Sequence, residues 1–103
     1  MNIDFDPLAL LELNDAVAYY NFQLEGLGDR FKEYIKQGLK KISDHPNAWQ
    51  FQTLRSRRFV LNTFPYKIVY TVKEDHIFVL AIANSHRKPD YWITRENHPS
   101  RTS

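Results

Sequence analysis

The spacing of apolar residues changes once along the chain, near Trp49, and this change limits the folds that the chain can adopt. Before Trp49, apolar side chains recur every three or four residues, which is typical of amphipathic helices. After Trp49, short apolar segments are separated by turn residues, which is typical of strands. Helices followed by strands predict an α+β fold, with a two-helix hairpin packed on one face of a small antiparallel β-sheet. With 103 residues, the chain is expected to form a single domain, residues 1–103.

The helical half is predicted to contain a short strand at residues 1–6 and a helical hairpin at residues 7–45. Asp6 is a typical N-cap, and Pro7 suits the first helical position because no N–H donor is needed there. Helical spacing then predicts an apolar stripe on the first helix, formed by Leu10, Leu13, Val17, Tyr20 and Leu24.

The second helix contains an unfavourable residue, Gly38. In a helix interior a glycine costs about 1 kcal/mol relative to alanine. A close approach of this helix to the other helix or to the sheet would explain it. The helix is expected to end near Asp44, because Pro46 disfavours helical backbone at His45.

The second half predicts an antiparallel meander at residues 49–85, with strands at about 49–54, 57–62, 66–73 and 76–85. The last of these strands is apolar on both faces and is therefore expected to be central. The sheet face opposite the helices is expected to be open for function. Residues 86–103 are expected to form a short C-terminal helix or tail.

Composition favours a cytoplasmic protein with a basic C-terminal half. Residues 1–54 hold five Lys and Arg against eight Asp and Glu, a net charge of −3, and residues 55–103 hold nine against four, a net charge of +5. A polyanion or an acidic partner would be steered towards the second half. The sequence has no cysteine, no secretory leader and no apolar run of the roughly 20 residues that span a bilayer, so no membrane association is expected.

Cationic, imidazole and phenolic side chains are predicted to gather at one end of the sheet. The candidates for binding a nucleic acid or partner are Arg55, Arg57, Lys67, Lys88, Trp92 and Arg95, and the candidates for catalysis are Arg58, His86, Arg87 and Tyr91. Arginine matches phosphate oxygens with two parallel hydrogen bonds, and histidine exchanges protons near neutral pH. Such a cluster suits binding or cleaving a polyanion, or gripping an acidic protein surface.

Each candidate also has a structural interpretation. Arginines at a strand edge discourage edge-to-edge pairing of sheets, a histidine at a strand end is more often structural, and Trp92 could plug the end of the core. No cluster of His, Cys, Asp and Glu has metal-ligand spacing, and no glycine-rich phosphate loop is present. We therefore expect no metal and no cofactor.

In order along the chain, these features resemble the RelE/ParE superfamily of bacterial type II toxins over about residues 3–95. The matching residues are Tyr19, Tyr20, Gly26, Leu27, Gly28, Phe31, Pro46, Arg58, Phe64, Pro65, Tyr66, Ile68, Tyr70, Ala81, His86, Arg87, Pro89, Tyr91, Trp92 and Arg95. The resemblance implies a compact α+β fold and a cognate antitoxin protein. It also implies that operator DNA is bound only through the complex with the antitoxin.

The superfamily contains two activities. RelE-like members cut mRNA in the ribosome without a metal, by attack of a ribose 2′-hydroxyl on the adjacent phosphate. Arg58, Arg87 and Tyr91 stand roughly where those members carry their catalytic residues, and His86 adds an acid–base candidate. ParE-like members instead inhibit DNA gyrase and lack this set.

The sequence favours the ParE-like activity slightly. The segment Phe64-Pro65-Tyr66 and the ending His86-x-x-Pro89-x-Tyr91-Trp92 resemble ParE-like members. Gln50, Gln52 and Thr53 stand where RelE-like members carry more lysine. We expect a growth-inhibiting toxin acting on DNA gyrase, used in plasmid stabilisation; the alternatives are a ribosome-dependent mRNA endonuclease and a non-toxic binding module.

Overall fold

The computed structural model describes residues 2–88 and 90–96. In chain order, these residues form β1 (Asn2–Phe5), α1 (Pro7–Gln23), α2 (Leu27–Asp44), β2 (Arg57–Val60), β3 (Tyr66–Lys73), β4 (His76–Asn84) and α3 (Ile93–Glu96). The part of the predicted C-terminal segment at residues 97–103 lies outside the described residues, as do Met1 and Pro89. No helix in the described part of the chain is long and apolar enough to cross a membrane.

Helix α1 begins as its sequence predicts. The Asp6 side chain accepts a hydrogen bond from the N–H of Leu8 (2.9 Å), and Pro7 occupies the first turn. The stripe is only partly as predicted, because Leu10 and Leu24 are 46% and 62% exposed. The buried positions are instead Ala9, Leu13 and Ala16. The buried line includes two alanines, whose small side chains allow α1 to lie close to β4.

Two glycines of α2 allow close packing. A Cβ atom on Gly28 would lie 2.1 Å from the carbonyl oxygen of Val17, so α1 and α2 approach to backbone contact there. A Cβ atom on Gly38 would lie 3.0 Å from side-chain carbons of Ile68 and Phe59. The close approach predicted at Gly38 is therefore one between helix and sheet.

The strands form one four-stranded sheet in the order β1-β4-β3-β2. Strands β2, β3 and β4 are an antiparallel meander, as predicted, and β4 lies between β3 and β1. Strand β1 pairs parallel to β4, from Asn2 opposite His76 to Phe5 opposite Val79, so the sheet as a whole is mixed. With both long helices packed on this sheet, the predicted α+β fold class is confirmed.

The strand predicted at residues 49–54 is not formed. The segment contributes an isolated bridge between Phe51 and Arg57, and the N–H groups of Gln52 and Thr53 both donate to the carbonyl oxygen of Ser56. This turn reverses the direction of the chain next to the single bridge, so a β-ladder of several residue pairs does not form. The short apolar alternation of the segment therefore did not determine its conformation.

The sheet face opposite the helices is partly covered, although the sequence predicted an open face. Val69 lies opposite Ala81 and Tyr70 opposite Val79, so Leu80 is an extra residue in β4 and forms a bulge. Leu80 and Ala81 pack with Val69, Ala83 and Trp92 in a second apolar cluster. The indole of Trp92 is 1% exposed, and the chain after β4 therefore folds back over the sheet.

Candidate functional site

Among residues 2–88 and 90–96, no strand neighbours the edge of β4 beyond Val79, because β1 ends at that point. Side chains take the place of the missing strand. Glu12, from α1, accepts a hydrogen bond from the N–H of Ile82 (3.1 Å). Arg95, from α3, donates one to the carbonyl oxygen of Leu80 (2.9 Å). Buried backbone groups at this edge are thus paired without a fifth strand.

Glu12 also binds two of the residues that the sequence predicted as site residues. Its carboxylate pairs with the guanidinium of Arg95 at 3.1 Å and accepts a hydrogen bond from the hydroxyl of Tyr91 at 2.8 Å. Burial, followed by the hydrogen bond to Glu12, raises the pKa of Tyr91 above its usual value of 10.0. At neutral pH the Tyr91 proton therefore stays on its oxygen. We call Glu12, Tyr91 and Arg95 the β4-edge network.

Arg87 lies beside this network and is exposed. Its guanidinium carbon is 4.7 Å from the centroid of the Tyr91 ring. The two side chains line a cleft of about 270 Å³ together with Asp15 and Tyr19 of α1, among others. His86 and Lys88, on either side of Arg87 in the chain, are exposed. The cleft carries both acidic and basic groups.

Lys67 lies on the outer face of the sheet, against the C-terminal segment. Its ammonium group is 5.2 Å from the Trp92 ring centroid and donates to the side-chain oxygen of Gln52 (3.0 Å). Gln52 in turn donates to Asp90 (3.1 Å). Burial and then the charge of Arg58 lower the pKa of Lys67, while Asp90 opposes the change. This cation is held in place rather than freely solvated.

The two arginines of β2 form hydrogen bonds with the segment of residues 49–54, which precedes this strand. Arg57 donates to the carbonyl oxygen of Trp49 (2.6 Å) and stacks 4.0 Å from the Phe51 ring centroid. Arg58 donates to the carbonyl oxygen of Phe51 (2.7 Å) and to the side chain of Gln50 (2.6 Å). These hydrogen bonds pair the backbone carbonyl groups of Trp49 and Phe51, which a strand at 49–54 would have paired in a β-ladder.

Arg55 occupies the turn before β2. Its backbone N–H donates to the Thr53 hydroxyl (3.1 Å), and its side chain is exposed. The Thr53 hydroxyl also donates to Glu96 (2.7 Å), which ties this turn to the C-terminal segment. The Arg55 side chain therefore extends from a turn that is fixed by two hydrogen bonds of the Thr53 hydroxyl, one with the Arg55 N–H and one with Glu96.

Six of the ten predicted residues form two groups rather than one. Arg58 and Lys67 belong to the outer face, with Trp92, whereas Arg87 and Tyr91 line the cleft beside the β4-edge network, with Arg95 behind them. Arg58 lines a different cleft from Arg87. Their catalytic or binding roles stay predictions, and the geometry shows which of them could act together.

Glu12 is the residue that sequence reasoning missed. It lies three residues after Ala9 and four before Ala16, both buried, so helical spacing places it beside the buried face of α1. A carboxylate in that position needs a partner, because burying an unpaired charge is costly. The sequence therefore indicated that Glu12 needs a partner. It did not indicate which residue, because Arg95 lies 83 residues further along the chain.

Residues 3–89 match the family model described as the ParE toxin of type II toxin–antitoxin systems, parDE. The chain belongs to this family. A search of curated protein sequences found no match. Membership of a type II toxin–antitoxin family implies an antitoxin partner.

Two solved structures share the fold of this ParE-family chain. A chain of the chromosomal ParDE system from P. aeruginosa has a TM-score of 0.73 and 17% identity, covering 82% of this chain and 95% of that one. The isolated E. coli RelE toxin has a TM-score of 0.63 and 21% identity, covering 93% of this chain and 96% of that one. The match to the family model confirms the predicted RelE/ParE superfamily, and the two solved structures, at identities this low, establish the fold alone.

Proposed function

We propose that this ParE-family toxin arrests growth in the bacterial cytoplasm by inhibiting DNA gyrase, and that a cognate antitoxin neutralises it. The observation that carries the proposal is the hydrogen bond from Tyr91 to Glu12. The Tyr91 hydroxyl is bound to Glu12 and its pKa is raised, so it is poorly suited to exchange a proton near pH 7. Operator DNA would be bound only by the toxin–antitoxin complex.

The separation of the arginines supports the same proposal. Cleavage of RNA by 2′-hydroxyl attack requires cations around one phosphorane, and Arg58 and Arg87 line different clefts. Arg58 also uses two of its donors to hold Phe51 and Gln50. Exposed basic residues on a rigid sheet are suited to dock on an acidic protein surface.

The alternative is ribosome-dependent cleavage of mRNA. The observation in its favour is that exposed Arg87 stacks on Tyr91, which brings a cation and a phenol together in one cleft. If RNA cleavage is the activity, Tyr91→Phe should abolish toxicity, because the variant lacks the only proton that the phenol could donate. If gyrase is the target, Tyr91→Phe should stay toxic, because the ring is retained.

The direct test is a supercoiling assay with purified gyrase and the purified toxin. We expect the toxin to reduce supercoiling, and Tyr91→Phe to reduce it equally. A heat-unfolded sample of the same toxin is the control for non-specific inhibition. The proposal would be ruled out if gyrase kept its full supercoiling activity in the presence of an excess of purified toxin, although the same toxin arrests growth when it is expressed in cells.

A further inference from the structure

The loop before β2 presents two apolar side chains to solvent. We call residues 51–56 the 51–56 loop. Leu54 is 99% exposed, more than any other large apolar residue in the described part of the chain, and Phe51 is 58% exposed. A single exposed leucine is common on protein surfaces and needs no explanation by itself. The loop that carries these two residues, however, is held by an unusual number of side-chain hydrogen bonds.

The hydroxyl of Thr53 fixes the tip of the loop. It donates to the carboxylate of Glu96 (2.7 Å) and accepts from the backbone N–H of Arg55 (3.1 Å). The hydroxyl of Ser56, a buried residue, lies 2.9 Å away and is the donor of that bond, because the proton of Thr53 goes to Glu96. One side chain therefore joins both arms of the loop to α3.

Gln52 attaches the loop to the outer face of the sheet. Its side-chain amide donates to Asp90 (3.1 Å), and its side-chain oxygen accepts from Lys67 (3.0 Å). Across the loop, the carbonyl oxygen of Ser56 accepts from the N–H groups of Gln52 (2.8 Å) and Thr53 (3.2 Å). A loop with these bonds is ordered before a partner arrives, so its binding costs less conformational entropy.

A cleft of about 210 Å³ lies beside the exposed apolar residues. Its wall includes Phe51, Leu54 and Val72 of β3. Among the described residues, the ionisable side chains of this wall are Arg55 and Arg57, both cationic. A protruding apolar side chain and a positively charged surround therefore lie together on a rigid loop.

We infer that the 51–56 loop is the surface by which the toxin binds gyrase. Leu54 would enter an apolar pocket of the enzyme, and carboxylates around that pocket would face Arg55 and Arg57. A few apolar residues near the centre of an interface supply most of the binding free energy, and the polar groups around them exclude water. The inference rests on the proposed function, because gyrase is the partner.

The shape of the loop favours a folded protein as its partner. Extended and helical segments of a partner dock into grooves, where their own side chains fill the pockets. A protruding leucine requires the reverse arrangement, in which the partner supplies the pocket. Duplex DNA would offer phosphates to Arg55 and Arg57 but no pocket for Leu54. Carboxylates on a folded surface complement both arginines.

The test measures two quantities for full-length toxin variants, the affinity for purified DNA-free gyrase and the inhibition of supercoiling. Loss of a central apolar contact should weaken binding, and we expect Leu54→Ser to raise the Kd about thirtyfold, with a parallel loss of inhibition. Leu24→Ser, at an exposed leucine in the turn between α1 and α2, is the matched control and should leave both quantities unchanged.

Charge reversal tests the surround of the cleft. We expect Arg55→Glu to raise the Kd about tenfold, because it would face carboxylates of the partner. Arg30→Glu, exposed on α2, changes the net charge equally and should bind like the wild type.

The role of Thr53 is one of positioning, and a pair of variants tests it. Thr53→Val keeps the shape of the side chain but removes the hydroxyl, so the loop would have to be ordered on binding. We expect it to weaken binding about fivefold. Thr53→Ser keeps the hydroxyl and should restore the affinity of the wild type. If Thr53→Val does not fold, Leu54→Ser and Arg55→Glu still decide the result.

The outcomes separate this inference from the proposed function. If wild-type toxin neither binds nor inhibits gyrase, both fail. If it inhibits gyrase and Leu54→Ser and Arg55→Glu inhibit equally, only the inference about the loop is overturned. Binding that requires DNA and is unchanged in Leu54→Ser would make DNA the partner of the arginines. A Leu54→Ser toxin that inhibits gyrase normally but escapes its antitoxin in cells would assign the loop to the antitoxin.

Discussion

Glu12 pairs with groups from three parts of the chain. It accepts hydrogen bonds from the N–H of Ile82 in β4 and from the hydroxyl of Tyr91, and it forms an ion pair with Arg95. The side chains of Arg95 and Glu12 are only 9% and 18% exposed. A charge left unpaired in such a place is costly, so the β4-edge network should contribute to stability whatever the target of the toxin is.

Removing Glu12 should therefore destabilise the protein. We expect Glu12→Ala to lower the free energy of unfolding by about 3 kcal/mol, because it leaves Arg95 buried without its counter-ion. Denaturation by urea measures the change. Asp15→Ala, exposed on the next turn of α1, is the matched control and should change it by less than about 0.5 kcal/mol.

The double variant Glu12→Ala/Arg95→Ala tests the pairing itself. Once Arg95 is removed, loss of Glu12 should cost less than it does alone, because no buried charge remains unpaired. Strict additivity of the two single losses would contradict the account of the β4-edge network.

Tyr70 should make stability depend on pH in alkaline solution. Its side chain is fully buried, its hydroxyl donates to the carbonyl oxygen of Pro46 (2.8 Å), and burial raises its pKa to about 12, an effect that Arg57 opposes. In the unfolded chain a tyrosine ionises near about pH 10. Between these values the unfolded state releases a proton that the folded state keeps, so the free energy of unfolding falls as pH rises.

The alkaline loss should be smaller in Tyr70→Phe than in the wild type. Urea denaturation at stepped pH measures it, and Tyr19→Phe, with an exposed ring, serves as the comparison. Equal slopes in both variants would show that Tyr70 does not carry the effect.

At the scale of elements, the α1–α2 contact depends on Gly28. A Cβ atom there would meet the Val17 backbone oxygen, which cannot move without shifting α1. We expect Gly28→Ala to lower the free energy of unfolding by about 2 kcal/mol despite the gain in helix propensity. Gly38→Ala is the matched comparison, because the atoms it meets are side-chain ends that can rotate. Chemical denaturation should show the smaller loss for Gly38→Ala.

The sequence predicted elements where the signals are local. Asp6, Pro7 and the helical spacing of apolar residues predicted the helical hairpin, and the apolar residues at 76–85 predicted the central strand β4. The segment at 49–54 was mispredicted, because Arg57 and the turn at Ser56 provide its hydrogen bonds instead of a ladder. Such competition is not visible in a hydrophobic pattern.

The contacts of the candidate site residues were not visible in the sequence for a related reason. Arg95 was predicted to bind a partner molecule, which stays a prediction, and the structure adds that its side chain contacts Glu12 and Leu80. No local spacing indicates a pair that is 83 residues apart. The sequence did identify which residues surround the end of β4, because they follow directly in the chain.

At the scale of the whole molecule, the acidic half of the sequence supplies the long helices and the basic half supplies most of the sheet. The half that supplies both long helices has a net charge of −3, and the half that supplies β2, β3 and β4 has +5. The basic residues are spread over the outer face, the turn before β2 and the end of β4 rather than converging on one phosphate-sized site. A dispersed basic surface is better suited to docking on an acidic protein than to phosphoryl chemistry.

The most direct measurement is induction of the toxin without its antitoxin in a bacterial host, with mRNA 5′ ends and plasmid supercoiling read from the same culture within minutes. Inhibition of gyrase predicts growth arrest and relaxed plasmid with unchanged mRNA ends, and the same result for Tyr91→Phe. New in-frame cleavage sites that disappear with Tyr91→Phe and Arg87→Ala, together with normal supercoiling, would contradict it and make the cleft beside the β4-edge network a nuclease site.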